Sequence, residues 1–129
     1  MTTFAPYLFL TNVAAGVDFY RAAFGAVELR RVSNPDGTVH VVELTIGGAL
    51  FHLHEERRDA KQLSPETLHG TSSQIGVFDD DPDALFASGV AAGAQVLSGM
   101  QDFDYGYRQG VVIDPFGHQS LLQRRVTTA

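Results

Sequence analysis

Residues 48–56 read Gly-Ala-Leu-Phe-His-Leu-His-Glu-Glu, and this alternation of residue types predicts a β-strand. Ala49, Phe51 and Leu53 share one apolar face that can pack on a helix, because side chains alternate across a strand. The opposite face carries His52 and His54, about 7 Å apart along the strand. Two interpretations of His52 and His54 stay open. Their imidazoles bind a ligand, a proton or a metal, or they are half-buried polar residues at the end of a strand.

Composition narrows the functional classes. The chain has 129 residues, no cysteine and a formal net charge of −6. That length suits one domain or two small fused modules. The absence of cysteine excludes thiol catalysis and cysteine-based zinc sites, and it fits a reducing cytoplasm. The acidic balance argues against a nucleic-acid partner, and the sequence contains neither a signal-peptide pattern nor an apolar run of membrane-spanning length.

The first half of the chain predicts one strand, one helix and three further strands. Asn12 is a plausible N-cap, and Gly25 stands where a left-handed residue ends a helix. The apolar stripe between them follows helical spacing at Val13, Val17, Tyr20 and Phe24. Strands are predicted at residues 5–11, 26–32, 38–46 and 48–56.

The second half predicts the same order of elements. Residues 56–72 lack clear periodicity and are interpreted as a connection. Asp80 or Asp81 caps a helix with Pro82 near its first position, and its apolar side is predicted at Leu85, Phe86, Val90 and Ala92. Strands follow at 73–79, 94–100, 106–113 and 117–125.

The two halves align with an offset of 68 to 69 residues, which places Phe24-Gly25-Ala26 over Ala92-Gly93-Ala94 and Gly48 over Gly117. A repeated unit cannot cover its own apolar face, so the two βαβββ copies should pair. We therefore predict a single α+β domain over residues 1–129, a cup-shaped mixed sheet with helices outside. Its first module covers about 4–56, its connection 57–72 and its second module about 73–126.

In this organisation the chain resembles the vicinal oxygen chelate superfamily of glyoxalases, bleomycin-resistance proteins and dioxygenases, and within it the PhnB-like branch. The resemblance rests on a series of short motifs in the expected order. They are Pro6-Tyr7-Leu8, Asp18-Phe19-Tyr20, Leu63-Ser64-Pro65-Glu66-Thr67-Leu68, Gly70-Thr71, residues 80–84, Ala92-Gly93-Ala94, Tyr105-Gly106 with Arg108, and Asp114-Pro115-Phe116-Gly117-His118. It implies paired βαβββ modules, a homodimer and a ligand cup on the concave face.

The resemblance also implies where a metal would be held. Metal-dependent members place ligands at positions that correspond here to Ala5, His52, Gln74 and Leu121. Ala5 and Leu121 offer no donor atom, so only His52 and Gln74 are retained. A catalytic divalent metal needs about three protein ligands, and we therefore expect neither a metal nor another cofactor.

The same alignment predicts the cup lining: Tyr7, Phe9, His52, His54, Gln74, Phe78, Gln119 and Leu121. Tyr105, Tyr107 and Arg108 are expected at the rim, where Arg108 either clamps an anionic ligand or pairs with Asp102 or Asp104. Parity places His118 opposite the cup, where it should hydrogen-bond its own turn.

Two functions remain open after these assignments. One is a binding protein that holds a compact organic ligand between aromatic walls. The other is a glyoxalase-like lyase or isomerase that uses His52 as general base, with Gln74 or Tyr107 as hydrogen-bond donor.

Overall fold

Two four-stranded sheets, each with a helix on one face, make up the fold in the computed structural model, which describes residues 1–126. The elements are β1 (Tyr7–Leu10), α1 (Val13–Phe24), β2 (Val27–Ser33), β3 (Val39–Ile46), β4 (Ala49–Glu55), α2 (Pro65–Leu68), β5 (Gln74–Phe78), α3 (Pro82–Ala91), β6 (Gln95–Phe103), β7 (Tyr107–Ile113) and β8 (Gln119–Arg125). No helix within residues 1–126 is long and apolar enough to cross a membrane.

The strand order confirms the predicted repeat. The sheets run β1-β4-β3-β2 and β5-β8-β7-β6. In each sheet the first pair is parallel and the other two pairs are antiparallel. The register pairs Tyr7 with His52 in the first sheet and Gly76 with Leu121 in the second, which is the same pair displaced by 69 residues.

Helix α1 begins and ends as its sequence predicts. The side chain of Asn12 accepts a hydrogen bond from the backbone N–H of Ala15 at 3.1 Å, and Gly25 follows the helix with φ 66°. All four residues of the predicted stripe are buried against the first sheet. Their burial fixes the helix over β3 and β4, the strands that carry the residues described below.

Helix α3 begins at the predicted position, but the prediction of its apolar side was partly wrong. Asp81 is the N-cap, and its side chain accepts from the N–H of Ala84. Val90 is 38 % exposed, and α3 contacts the other helix through Ser88, whose hydroxyl donates to the backbone oxygen of Ala23, and through Gly89. A Cβ atom at Gly89 would lie 3.1 Å from the ring of Phe24, so α1 and α3 approach closely because this position has no side chain.

The connection between the modules contains local structure that the sequence did not predict. It includes a 3₁₀ turn at Arg58–Ala60 and the short helix α2, whose N-cap is Ser64. Glu56 accepts hydrogen bonds from the N–H and the hydroxyl of Ser64 at 2.8 and 3.0 Å. Hydrogen bonds from Thr67 and Ser64 lower the pKa of Glu56 to about 2. The start of the connection is thus tied to α2 by an ionised carboxylate.

Contacts between the modules lie on the helix side of the sheets. Helix α1 packs on α3, and Tyr20 on α1 bonds Asp114 in the turn between β7 and β8. Strands β1 and β5 are edge strands that flank a groove, to which Pro6, Leu8 and Ile75 contribute. Within residues 1–126 the sheets are therefore joined by side chains and helices rather than by strand pairing.

Candidate functional site

Each sheet buries one face under a helix, and we call the opposite face its open face. Leu8 and Leu10 on β1 and Leu53 on β4 are at most 5 % exposed and form the covered face. Because side chains alternate, the residues between them point to the open face. Those on β1 and β4 are Tyr7, Phe9, His52 and His54, as parity predicts.

His52 lies between an aromatic ring and a carboxylate. Its ring stacks on Tyr7 with centroids 4.2 Å apart and planes 10° apart. Its Nε2 lies 3.5 Å from Oε1 of Glu43, the residue opposite it on β3. Its Nδ1 is buried and has no hydrogen-bond partner within residues 1–126. With the Nε2 proton directed at Glu43, Nδ1 keeps a lone pair, but a ligand would reach it only after neighbouring side chains move.

His54 is anchored at the end of the same strand. Its Nδ1 lies 2.7 Å from the backbone oxygen of Glu55, and its ring meets Phe9 edge-on at 5.6 Å. A carbonyl oxygen can only accept, so Nδ1 carries the proton and Nε2 of the neutral ring is an acceptor. The ring of His40 lies 4.7 Å away between centroids.

His40 belongs to a polar network behind His54. Its Nδ1 lies 2.8 Å from Oε1 of Glu55, while the amide of Asn34 donates to Oε2 at 3.0 Å. Burial alone would raise the pKa of Glu55, but the His40 and Asn34 hydrogen bonds hold it below its ordinary value. Glu55 is therefore ionised at neutral pH and helps to position the imidazole pair.

The open face of the second sheet carries an aromatic cluster. Phe78 and Tyr105 each lie 6.3 Å from Tyr107 between ring centroids, and Tyr105 stacks on Phe103 at 5.1 Å. Phe78 is 66 % exposed and Tyr105 is 60 % exposed. These rings form a surface on which a planar molecule can stack.

Paired side-chain amides lie beside the aromatic cluster. Gln74 donates to Gln119 at 3.2 Å, and Gln109 donates to the buried Gln123 at 2.7 Å. Leu121 lies between the two amide positions of β8. The open face thus combines apolar contacts with a few polar groups, the usual character of a small-molecule site.

Arg108 lies on the helix side and not on the open face. Its guanidinium donates to both carboxylate oxygens of Asp83 on α3, at 2.8 and 2.7 Å, and to Asp102 at 3.0 Å. The structure therefore shows the pairing alternative, with Asp83 as an additional partner. The cation next to the aromatic cluster is Arg125, 5.6 Å above the ring of Tyr107 and within 3.1 Å of its hydroxyl.

His118 does lie away from the open face, but the prediction of its partner was wrong. Its Nε2 lies 2.9 Å from the backbone oxygen of Phe9, across the boundary between the modules. Its own turn is held instead by Asp114, whose Oδ1 accepts from the N–H groups of Phe116 and His118 at 2.9 Å each. His118 therefore satisfies an otherwise unpaired carbonyl on the edge of β1.

The metal site that the resemblance implies lacks two of its four ligand positions in this chain. Ala5, which precedes β1, and Leu121 on β8 have side chains without a donor atom, so neither position supplies a ligand. Within residues 1–126 no group of three histidine, cysteine, aspartate or glutamate side chains is arranged so that it could hold a metal ion. The residues present therefore do not fit the family's metal site.

Strand register brings further residues to the open face from β3 and β7 that were not predicted from the sequence. Glu43 faces His52, and Gln109 bonds the buried Gln123. The alternation within β3 and β7 contained this signal, but finding the cross-strand partners required the pairing registers of β3 with β4 and of β7 with β8.

Comparison with known proteins identifies relatives along nearly the whole chain. An uncharacterised protein from Mycobacterium bovis is 39 % identical over 125 residues, which cover 95 % of this chain and 82 % of the relative. An uncharacterised Mycobacterium tuberculosis protein is also 39 % identical over 125 residues, covering 95 % of this chain and 74 % of its own.

Solved structures share the fold. TioX from Micromonospora sp. ML1 superposes with a TM-score of 0.78 at 26 % identity, covering 98 % of this chain and 100 % of its own. A gene product from Arabidopsis thaliana gives a TM-score of 0.74 at 26 % identity, covering 97 % and 98 %. The family model for the Glyoxalase/Bleomycin resistance protein/Dioxygenase superfamily matches residues 3–120. The chain therefore belongs to the glyoxalase/bleomycin resistance protein/dioxygenase superfamily.

Proposed function

We propose that the protein binds a compact organic molecule on its open faces, between aromatic side chains. The observation that carries this proposal is the exposure of large aromatic rings beside buried polar groups. Tyr7 is 53 % exposed although it covers His52, and Phe78 is 66 % exposed close to the buried Gln123. Exposed apolar clusters with a polar rim are characteristic of interaction sites.

A second copy of the chain would complete the site. In one chain the open faces lack an opposite wall, and a twofold dimer would place two such faces against each other. Light scattering at micromolar concentration should then give twice the chain mass of 14.0 kDa. A mass of one chain would exclude the dimeric form of this proposal.

The assignment to the PhnB-like branch is part of the proposal. It is supported by the motif from Leu63 to Thr71, in which the buried Ser64 caps α2 and bonds Glu56. The cytoplasmic location inferred from the cysteine-free sequence stays a prediction.

Binding can be tested with 2-naphthoate, whose rings can stack on Tyr107 and whose carboxylate can meet Arg125. We expect saturable binding in calorimetry, with shifts of the amide signals of β7 and β8 in NMR spectra. Tyr107→Ala should weaken it about tenfold, since one stacking contact is lost. Val96→Ala on β6, an exposed apolar residue away from the cluster, serves as the matched control. An equal loss of 2-naphthoate affinity in both variants, or the absence of saturable binding, would contradict the proposed binding site at the aromatic cluster.

The second candidate function is a lyase or isomerase step with His52 as general base. The observation that favours it is Glu43, which lies 3.5 Å from Nε2 of His52 and can fix its tautomer. The poor fit to a metal site and the burial of Nδ1 favour the binding function.

Turnover and metal content separate the two functions. We expect dialysed protein to carry far less than one zinc, nickel, iron or manganese per chain in elemental analysis, because two neutral ligands bind weakly.

The protein should not convert the hemithioacetal of methylglyoxal and glutathione above background, with or without added nickel or zinc. Turnover abolished by His52→Ala but retained by His69→Ala would establish the enzyme instead.

A further inference from the structure

The structure contains a cavity of about 600 Å³ between the modules, lined mainly by residues of the covered faces and reaching the open face of the second sheet at Phe78. In the first module it is lined by covered-face residues, among them Leu8, Tyr20 and Phe51. Ile75 and Ser120 line it from the second module, so the cavity lies between the modules. Its volume is within the range of small-molecule sites.

The lining is aromatic and carries a single charged side chain. Five aromatic rings line the cavity: Phe4, Tyr20, Phe24, Phe51 and Phe78. Asp79 is the only charged residue among the lining residues, which include no lysine, arginine or histidine. The buried Ser120 contributes a hydroxyl group, whereas the hydroxyl of Tyr20 is engaged by Asp114. An anionic ligand would lose its hydration here without gaining a positive partner.

We propose that this cavity binds a neutral or cationic aromatic molecule, at a site that shares Phe78 with the open-face cluster but includes neither Tyr107 nor Arg125. Apolar burial provides the attraction, and Phe4 and Phe78 are the two lining rings with exposed faces on which a ligand can stack. The Asp79 carboxylate discriminates against negative charge, and the net charge of −6 acts in the same direction. The open faces differ in this respect, because Arg125 stands beside their aromatic cluster.

Two fluorescent probes with the same rings test the charge preference. N-phenyl-1-naphthylamine is neutral, and 1-anilinonaphthalene-8-sulfonate adds one sulfonate to the same framework. We expect the neutral probe to bind saturably to the full-length Tyr107→Ala variant, whose open-face cluster is disrupted. The sulfonate probe should bind at least tenfold more weakly. Asp79→Asn should reduce the difference in affinity between the two probes several-fold, because the repelling charge is lost. The side-chain oxygen at position 79 still accepts a hydrogen bond from the backbone N–H of Asp81.

A variant that occupies the cavity tests its location. Ala49 is exposed and lines the cavity, so Ala49→Trp introduces a ring there without disturbing the buried core. It should weaken N-phenyl-1-naphthylamine binding at least tenfold, whereas Val96→Trp on the distant strand β6 should leave it unchanged. NMR shifts should lie within residues 46–51 and 75–79. Equal affinity for both probes, no effect of Ala49→Trp, or absence of saturable binding would overturn the proposal. The prediction that 2-naphthoate binds on the open faces does not depend on that result.

Discussion

Replacing Tyr20 with phenylalanine is expected to lower the free energy of unfolding by about 2 kcal/mol. The hydroxyl of Tyr20 donates to Oδ2 of Asp114 at 2.5 Å, and both residues are buried at the boundary between the modules. Phenylalanine would leave that carboxylate oxygen desolvated without its donor. Urea unfolding at neutral pH measures the loss.

The same substitution should change the dependence of stability on pH. Burial, reinforced by the negative charge of Asp114, raises the pKa of Tyr20 well above its ordinary value of 10.0. Between pH 10 and the folded-state pKa, the unfolded chain has lost the Tyr20 proton and the folded chain retains it. Stability therefore falls there by up to about 1.4 kcal/mol per pH unit. The stability contributed by the protonated Tyr20 hydroxyl is fully present below pH 10. Tyr20→Phe should remove the decline in the free energy of unfolding above that pH.

Tyr105 provides the matched control for this prediction. Its hydroxyl also bonds a side chain, Gln109, but the residue is 60 % exposed. Tyr105→Phe should therefore change stability by no more than about 0.5 kcal/mol. Equal losses in the two variants would show that the bond to Asp114 does not stabilise the boundary between the modules.

Local sequence signals were sufficient to predict the repeated fold. N-caps at Asn12 and Asp81 and turn glycines at Gly48 and Gly117 recur with the same offset of 69 residues. These features act within a few residues of the chain, so they can be identified without knowledge of the tertiary structure. They place the helices and turns, and alternation places the strands between them.

Features that depend on packing between the modules could not be predicted in this way. Gly89 is buried and Val90 is exposed because α3 meets Phe24 of the other helix, a contact distant in sequence. The partner of His118 was missed for the same reason, since the backbone oxygen of Phe9 belongs to the other module.

The candidate site was predictable to the extent that strand parity determines it. Parity assigns Tyr7 and His52 to one face, and the structure stacks their rings. Parity within β7 would also have separated Arg108 from Tyr107, because consecutive residues of a strand point to opposite faces. The bidentate bond from Arg108 to Asp83 on α3 is consistent with that position on the helix side.

Gly16→Val is expected to destabilise the protein by about 2–3 kcal/mol through overpacking. A Cβ at Gly16 would lie 2.5 Å from Cδ2 of Leu10 and 3.0 Å from Cδ1 of Leu53. Both leucines are fully buried, so neither side chain has free space into which it can move. Ala14→Val, on the exposed side of the same helix, should cost only about 0.5 kcal/mol, because it changes helix propensity alone.

A double substitution identifies the physical cause of this loss. Leu10→Val removes the Cδ2 atom that a side chain at position 16 would meet, so Gly16→Val combined with Leu10→Val should cost less than the sum of the single losses. Thermal or urea unfolding of the four proteins measures the coupling. Strict additivity would mean that the contact with Leu10 is not the cause.

The displacement of Leu10 and Leu53 should also disturb the open face, because these leucines alternate along their strands with Phe9, His52 and His54. The Gly16→Val variant should therefore bind 2-naphthoate more weakly than the Ala14→Val variant does.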